Sequence, residues 1–185
     1  MSNFAEQFNE WEQEEKAREL EWIQKYPFLR RRNSDGTINT EHDFPMMFLE
    51  IPFGWQELFF QMCDDIKDLV PEDFYFLQVK EKYNYMRCYA TKCSAEVEAI
   101  IAKYEQMAYY VCTYCGKPAT FETSGYLASF CDDCWKDHVR HDKGEWIKFE
   151  PSFTVTHFND GEHTKETISF KDEWERYLKR IKHEQ

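Results

Sequence analysis

The sequence predicts an α+β chain of two β-hairpins and about four helices, with a small four-cysteine module inserted before the last hairpin. Three observations predict it. Apolar residues recur at three- or four-residue spacing in four stretches, two pairs of short segments read as strands joined by turns, and four of the seven cysteines fall into two CxxC pairs. The 185 residues are 42% hydrophobic and 18% aromatic, which is ample material for a core and argues against global disorder.

The first helix is predicted over residues 3 to 26, where Phe4, Phe8, Trp11, Leu20, Trp22 and Ile23 stand among Glu, Gln and Lys. Pro27 ends it or bends its exit. A polar loop over residues 29 to 45 follows, with Asp35-Gly36 as its turn signal. The second helix, from about Trp55 to Leu69, carries Trp55, Leu58, Phe59, Met62, Ile66 and Leu69 on one face, and Pro71 closes it. "DFYFLQVKEKY" and "MRCYA" then read as a hairpin turning near Asn84.

Ser94 is placed to cap a third helix whose buried stripe is Val97, Ile100, Ile101, Tyr104 and Ala108. This helix runs straight into Cys112. Beyond the cysteines, "EWIKFEPSFTVTHF" and "HTKETISF" flank Asn159-Asp160-Gly161 as a second hairpin. A closing helix sets Trp174, Tyr177, Leu178 and Ile181 on one side. The parts are an N-terminal helix (1–26), an α+β core (27–111), a cysteine module (112–142) and a C-terminal hairpin and helix packed on the core (143–185).

The N-terminal stretch is acidic and polar, the reverse of a signal peptide, and no apolar run approaches the ~20 residues needed to span a bilayer. The expectation is a soluble, cytoplasmic chain with no membrane partner. In a reducing compartment, CxxC pairs point to metal rather than disulfides. Cys112 and Cys115, then Cys131 and Cys134, offer four thiolates, the set that binds Zn²⁺ tetrahedrally. Gly116 permits the close backbone approach of a knuckle, "ATFETSGYLASF" reads as a small hairpin, and "CDDCWKDHVRH" as a helix starting at the second pair. Knuckle, hairpin and helix resemble the treble-clef type of zinc module. A redox-active CxxC would want a thioredoxin-like βαβ pattern nearby, which the sequence lacks. Four sulfurs close the coordination shell, so the zinc is read as structural, and His138 and His141 as surface residues of the following helix.

Net charge is −12, from 35 acidic against 23 basic side chains, which repels nucleic acid unless cations are segregated. The cysteine module is itself net acidic. The denser cations are Arg30, Arg31 and Arg32, and a hairpin face on which Lys80, Lys82, Arg87 and Tyr89 fall together whether the turn is Tyr83-Asn84 or Asn84-Tyr85. A solvated face crossed by cation–π contacts is the plain reading, and a seat for an anion, a nucleic-acid end or an acidic partner the functional one. His157, Asp160 and His163 around the last turn are a further candidate metal trio, equally explained as turn and strand residues. No P-loop, HExxH, GxSxG or dinucleotide glycine pattern occurs.

The order of "KYPFLRRR", "GWQELFFQMCDDI", "FLQVKEKYNYMRCY", "EVEAIIAKYEQMA" and "CTYCGKP…CDDC" resembles a group of small zinc-knuckle proteins of tailed phages and prophages. In that group a KEK-(Tyr/Phe)-Gly-Gly-Leu-Arg-Phe-Tyr hairpin precedes a helix and a zinc knuckle. The resemblance covers roughly residues 25 to 135, and here Asn84-Tyr85 replaces the two glycines and Cys88 the Phe. It implies a phage accessory role and carries no activity with it. The expectation is therefore a non-enzymatic, zinc-stapled protein that binds and modulates or inhibits a host protein. The alternatives are a nucleic-acid-associated protein using the Lys80/Lys82/Arg87 face, and an unrecognised enzyme. The aromatic residues outside the resemblance, Phe4, Phe8 and Trp11 or Trp146, Phe149 and Phe153, are expected to be exposed or packed on another chain in at least one of the two segments.

Overall fold

A computed structural model describes residues 13–14, 17–33, 35–39, 51–123, 125–138, 152–159 and 162–183. Helix α1 is continuous over 17–25 and stops where Pro27 opens a 3-10 turn, Pro27–Leu29. Of the expected apolar positions described in α1, Ile23 is buried, Trp22 half-buried and Leu20 exposed. Phe4, Phe8 and Trp11 lie outside the described residues. The expected polar loop is in part a narrow hairpin. Arg32 bridges Ile38 around Asp35-Gly36, and Gly36 takes a φ of +85° that suits glycine.

Helix α2, Gln56–Ile66, follows a 3-10 turn over Phe53–Trp55. It buries Leu58, Phe59, Met62, Cys63 and Ile66, and Trp55 beside them is fully buried. Leu69 does not join this face, because the helix ends at Ile66 and the following turn carries Leu69 out to 43% exposure. Strands β1 (Phe76–Lys82) and β2 (Tyr85–Ala90) pair antiparallel, with Lys82 opposite Tyr85. Tyr83 and Asn84 form the two-residue turn at φ of 53° and 63°, as the I′ type requires.

Ser94 Oγ accepts the Val97 N–H and caps helix α3, Ala95–Tyr109. Its stripe buries Val97, Ile101, Tyr104, Met107 and Ala108, with Ile100 half-buried. Glu105 takes the Cys88 N–H at 2.6 Å, so α3 covers the edge of β2 with a side-chain acceptor. After a short hairpin of β3 (Phe121–Glu122) and β4 (Ser129–Phe130) comes α4, Asp132–His138. Strands β5 (Ser152–Asn159) and β6 (Glu162–Ser169) then pair antiparallel and lead into α5, Phe170–His183.

Phe153, Val155, Ile168, Phe170 and Tyr177 share one core with Trp55, Tyr104 and Val79. Asp65 on α2 is the polar pin of this assembly. It accepts the Tyr104 hydroxyl of α3 at 2.7 Å and the Arg180 guanidinium of α5 at 3.0 Å. Burial pushes the Tyr104 hydroxyl well above its usual range, so it remains a donor. Phe153 is therefore not a surface anchor, because β5 turns it inward against α3. Trp146 and Phe149 lie outside the described residues. Among the described residues no helix is long and apolar enough to cross a membrane.

Candidate metal centre

Two local structures bring the four cysteines together. The first is a tight turn in which Gly116 N–H donates to Cys112 O at 3.0 Å and Cys112 N–H to Lys117 O at 2.7 Å. Gly116, at φ +75°, closes it. The second is the first turn of α4, where Trp135 N–H donates to Cys131 O at 2.9 Å and Cys134 comes round beside Cys131. All four sulfurs lie within 4.8 Å of one another, and Cys115 Sγ is 3.5 Å from Cys131 Sγ. That is far beyond the ~2.05 Å of a disulfide. It is close to the roughly 3.8 Å edge of a tetrahedron with metal–sulfur bonds of ~2.3 Å.

Cys112, Cys131 and Cys134 are buried, and Cys115 is exposed. Burial, followed by hydrogen bonds with the Cys115 and Cys131 sulfurs, pushes the Cys134 thiol well above its usual range. A cation among the sulfurs is what would let all four stand as thiolates, so the donor set fits a metal ion. Around it, Trp135 stacks on Phe121 at 4.7 Å and meets Phe130 edge-on at 6.2 Å. Asp132 and Asp133 occupy the positive end of α4. The side chains of His138 and His141 lie outside the described residues.

Two contacts seat this module on the core, and the sequence reading missed both. At Gly54 a Cβ would stand 2.1 Å from Cys112 O and 2.6 Å from Gly116 N, so only glycine lets the two backbones meet. Gly54 N–H donates to Thr113 O at 2.9 Å, and Trp55 Nε1 to Val111 O at 3.1 Å. The second contact is the β1–β2 turn. The Asn84 side chain is fully buried, donates to Glu122 Oε1 (2.9 Å) and Ser129 Oγ (2.6 Å), and accepts Ser129 N–H at 3.0 Å. An Asn at a hairpin turn signals φ > 0, but its insertion into another segment leaves no local mark.

Replacing Asn84 separates these two roles. Asn84→Gly keeps the backbone conformation and loses the side-chain bonds, which is expected to cost about 2–3 kcal/mol through unsatisfied buried partners. Asn84→Ala adds about 1 kcal/mol for a Cβ in the left-handed region. Urea denaturation of the two variants reads the difference directly, and equal midpoints would show that the backbone term is absent.

The hairpin cations share one face, since Lys80 lies opposite Arg87, Lys82 opposite Tyr85 and Gln78 opposite Tyr89. Each already has company. Lys80 donates to Gln78 at 2.7 Å and sits 5.6 Å from the Tyr89 ring centre, and Lys82 is 5.7 Å from that of Tyr83. Arg87 lies 3.6 Å from Glu105 and over Tyr85. Arg32 packs its guanidinium over Tyr75, Arg30 is half-buried, and Arg31 is exposed.

His157 and His163 are not brought together. They occupy adjacent cross-strand pairs and therefore opposite faces, and His157 instead meets Glu166 at 3.1 Å. Asp160 lies outside the described residues. A groove of about 550 Å³ between α3, β5, β6 and α5 is lined by polar groups that include Lys103 and Arg176 paired with Glu173, His157 meeting Glu166, and Glu96. The remaining cysteines carry no sign of activation, since burial raises the Cys63 and Cys88 thiols well above their usual range and Cys93 moves the same way. Comparison with protein-family models, with curated proteins and with solved structures finds no match for this chain.

Proposed function

We propose that this chain is a non-enzymatic, zinc-stapled binding protein of phage origin that acts in the host cytoplasm by engaging a host protein. The observation that carries the reading is the convergence of Cys112, Cys115, Cys131 and Cys134 on one point, in a module seated against the core through Gly54. Four thiolates suit Zn²⁺ and fill its tetrahedral shell, so no coordination position is left for a substrate. Knuckle, short hairpin and helix, with the second pair of ligands at the helix start, support the treble-clef reading. A metal used in this way organises surface rather than chemistry. The phage affinity rests on the sequence resemblance through the KEK hairpin and the CxxCG knuckle.

Protein purified without chelator is expected to contain one zinc per chain, and tagged protein to retain a specific partner from host lysate. A metal-free preparation, or a lysate from which nothing is retained, would overturn the reading. A second reading has one observation in its favour, the cross-strand row of Lys80, Lys82 and Arg87. If that row bound phosphates, affinity would fall steeply with salt and Lys80→Glu with Arg87→Glu would abolish it. The neutralising contact of Glu105 with Arg87 and the charge of −12 weigh against it.

A further inference from the structure

The four converging sulfurs are not equally accessible. Cys112, Cys131 and Cys134 are buried, whereas Cys115 is exposed. An oxidant arriving from solvent therefore meets Cys115 first, because oxidation of cysteine follows thiolate character and access. Cys131 Sγ lies 3.5 Å from Cys115 Sγ, within the range of roughly 3–3.5 Å at which two atoms are placed to react. The two residues belong to different halves of the module, Cys115 to the knuckle and Cys131 to the joint of β4 with α4.

Contacts besides the sulfurs hold these halves in register. Thr113 N–H donates to Ser129 O and Thr120 N–H to Phe130 O. The Thr120 hydroxyl donates to Asp132, and Lys117 meets Asp133 at 3.3 Å. Exposed pairs of this kind add little stability, but they fix how one half approaches the other. A bond between Cys115 and Cys131 needs their sulfurs to close from 3.5 Å to ~2.05 Å, a movement on the scale of side-chain rotation.

Resting on the reading of the four cysteines as a zinc staple, we propose that Cys115 and Cys131 form a peroxide-sensitive switch, in which a disulfide between them replaces the metal as the link between knuckle and helix. The Cys115 thiolate attacks one oxygen of hydrogen peroxide and the O–O bond breaks. The sulfur becomes a sulfenic acid, and the departing hydroxide takes a proton from solvent. The Cys131 thiolate then attacks that sulfur, the S–S bond forms, and the S–O bond breaks to release a second hydroxide, which is protonated in turn. Two thiolates thereby lose two electrons, and one peroxide leaves as two waters. Cys112 and Cys134 alone supply half of a tetrahedral shell, so the ion is released. The new bridge crosses between the halves, as a bridge within either CxxC pair does not. It closes the loop that contains β3 and β4, so the module stays folded against Gly54 and Asn84 without metal. A dithiol reductant reverses the step and becomes a disulfide itself.

The test is titration of the zinc-loaded full chain with hydrogen peroxide. Free zinc is followed with a chromogenic chelator, cysteine linkage by peptide mass mapping, and the module amides by hydrogen exchange. Expected are one zinc released per peroxide consumed, a bridge between Cys115 and Cys131, and retained protection at Thr113, Thr120 and Ser129. Dithiothreitol with added zinc is expected to restore the metal content in full. Cys93→Ser removes a half-buried thiol outside the cluster and is expected to release zinc at the same peroxide ratio. Bridges confined to Cys112–Cys115 or Cys131–Cys134, zinc retained in excess peroxide, release that depends on Cys93, or loss of protection at those amides would overturn the switch and leave the staple reading standing. A chain that carries no zinc before oxidation would overturn both.

Discussion

Replacing Cys131 by serine is expected to abolish metal binding and to unfold residues 112–138, while the core around Trp55 persists. The module cannot hold itself. Its strands are two residues long, α4 has seven residues, and its own apolar contacts centre on Phe121, Phe130 and Trp135. Such pieces are unstable alone in water. Structural zinc contributes on the order of 10–16 kcal/mol in isolated zinc-finger peptides, which sets the scale of what the site supplies. Serine retains the size of the thiol but removes the soft thiolate ligand, and Cys131 lies at the joint between β4 and α4.

Hydrogen exchange gives the decisive measurement. The amides of Thr113, Thr120, Thr123 and Ser129 are bonded within the module or to Asn84, and all four are expected to lose protection. Core amides such as Tyr26, bonded to Trp22 O, are expected to keep it. A variant with stoichiometric zinc and protected module amides would show that Cys131 is not a ligand.

The second large effect is expected from a single methyl group. Gly54→Ala puts a Cβ 2.1 Å from Cys112 O, 2.6 Å from Gly116 N and 2.9 Å from Thr113 C. All three are backbone atoms, and none can swing aside. Either the 3-10 turn or the knuckle must move, and with it the Gly54–Thr113 and Trp55–Val111 hydrogen bonds. Losing two buried bonds with partners left unsatisfied costs about 3–5 kcal/mol, at the upper end for one substitution. Gly36→Ala meets only the end of the Tyr75 side chain, at 3.3 Å, so its expected cost is the backbone term of about 1 kcal/mol. Gly125→Ala meets nothing within 4 Å. Thermal midpoints should fall in that order, and a Gly54→Ala protein as stable as Gly125→Ala would refute the close approach.

Features written in local periodicity were legible in the sequence. The Ser94 cap, the α3 stripe, the sharing of a face by Lys80, Lys82, Arg87 and Tyr89, and the two halves of the cysteine cluster all follow from spacing alone. Where a helix or strand departs from ideal geometry, spacing misleads. Leu69 fits the α2 face on paper, but the helix stops one turn earlier. What stayed hidden depends on distant chain segments meeting. Nothing near Gly54 announces that a cysteine knuckle will rest on it, and nothing near Arg87 announces Glu105. Asn84 shows its turn but not that Ser129 will enclose its amide.

The Asp65 pin carries a consequence for the order in which the chain acquires its structure. Arg180 lies 115 residues beyond Asp65, whereas Tyr104 follows it by 39. At a translation rate of ~5–20 residues per second, Arg180 is added to the chain roughly 6–23 s after the aspartate it will clasp. Through that interval α2 and α3 can dock through the Tyr104 hydroxyl, but the carboxylate still waits for its counter-ion. The nascent chain thus holds α2 and α3 in a provisional arrangement, and arrival of α5 is the event that locks them.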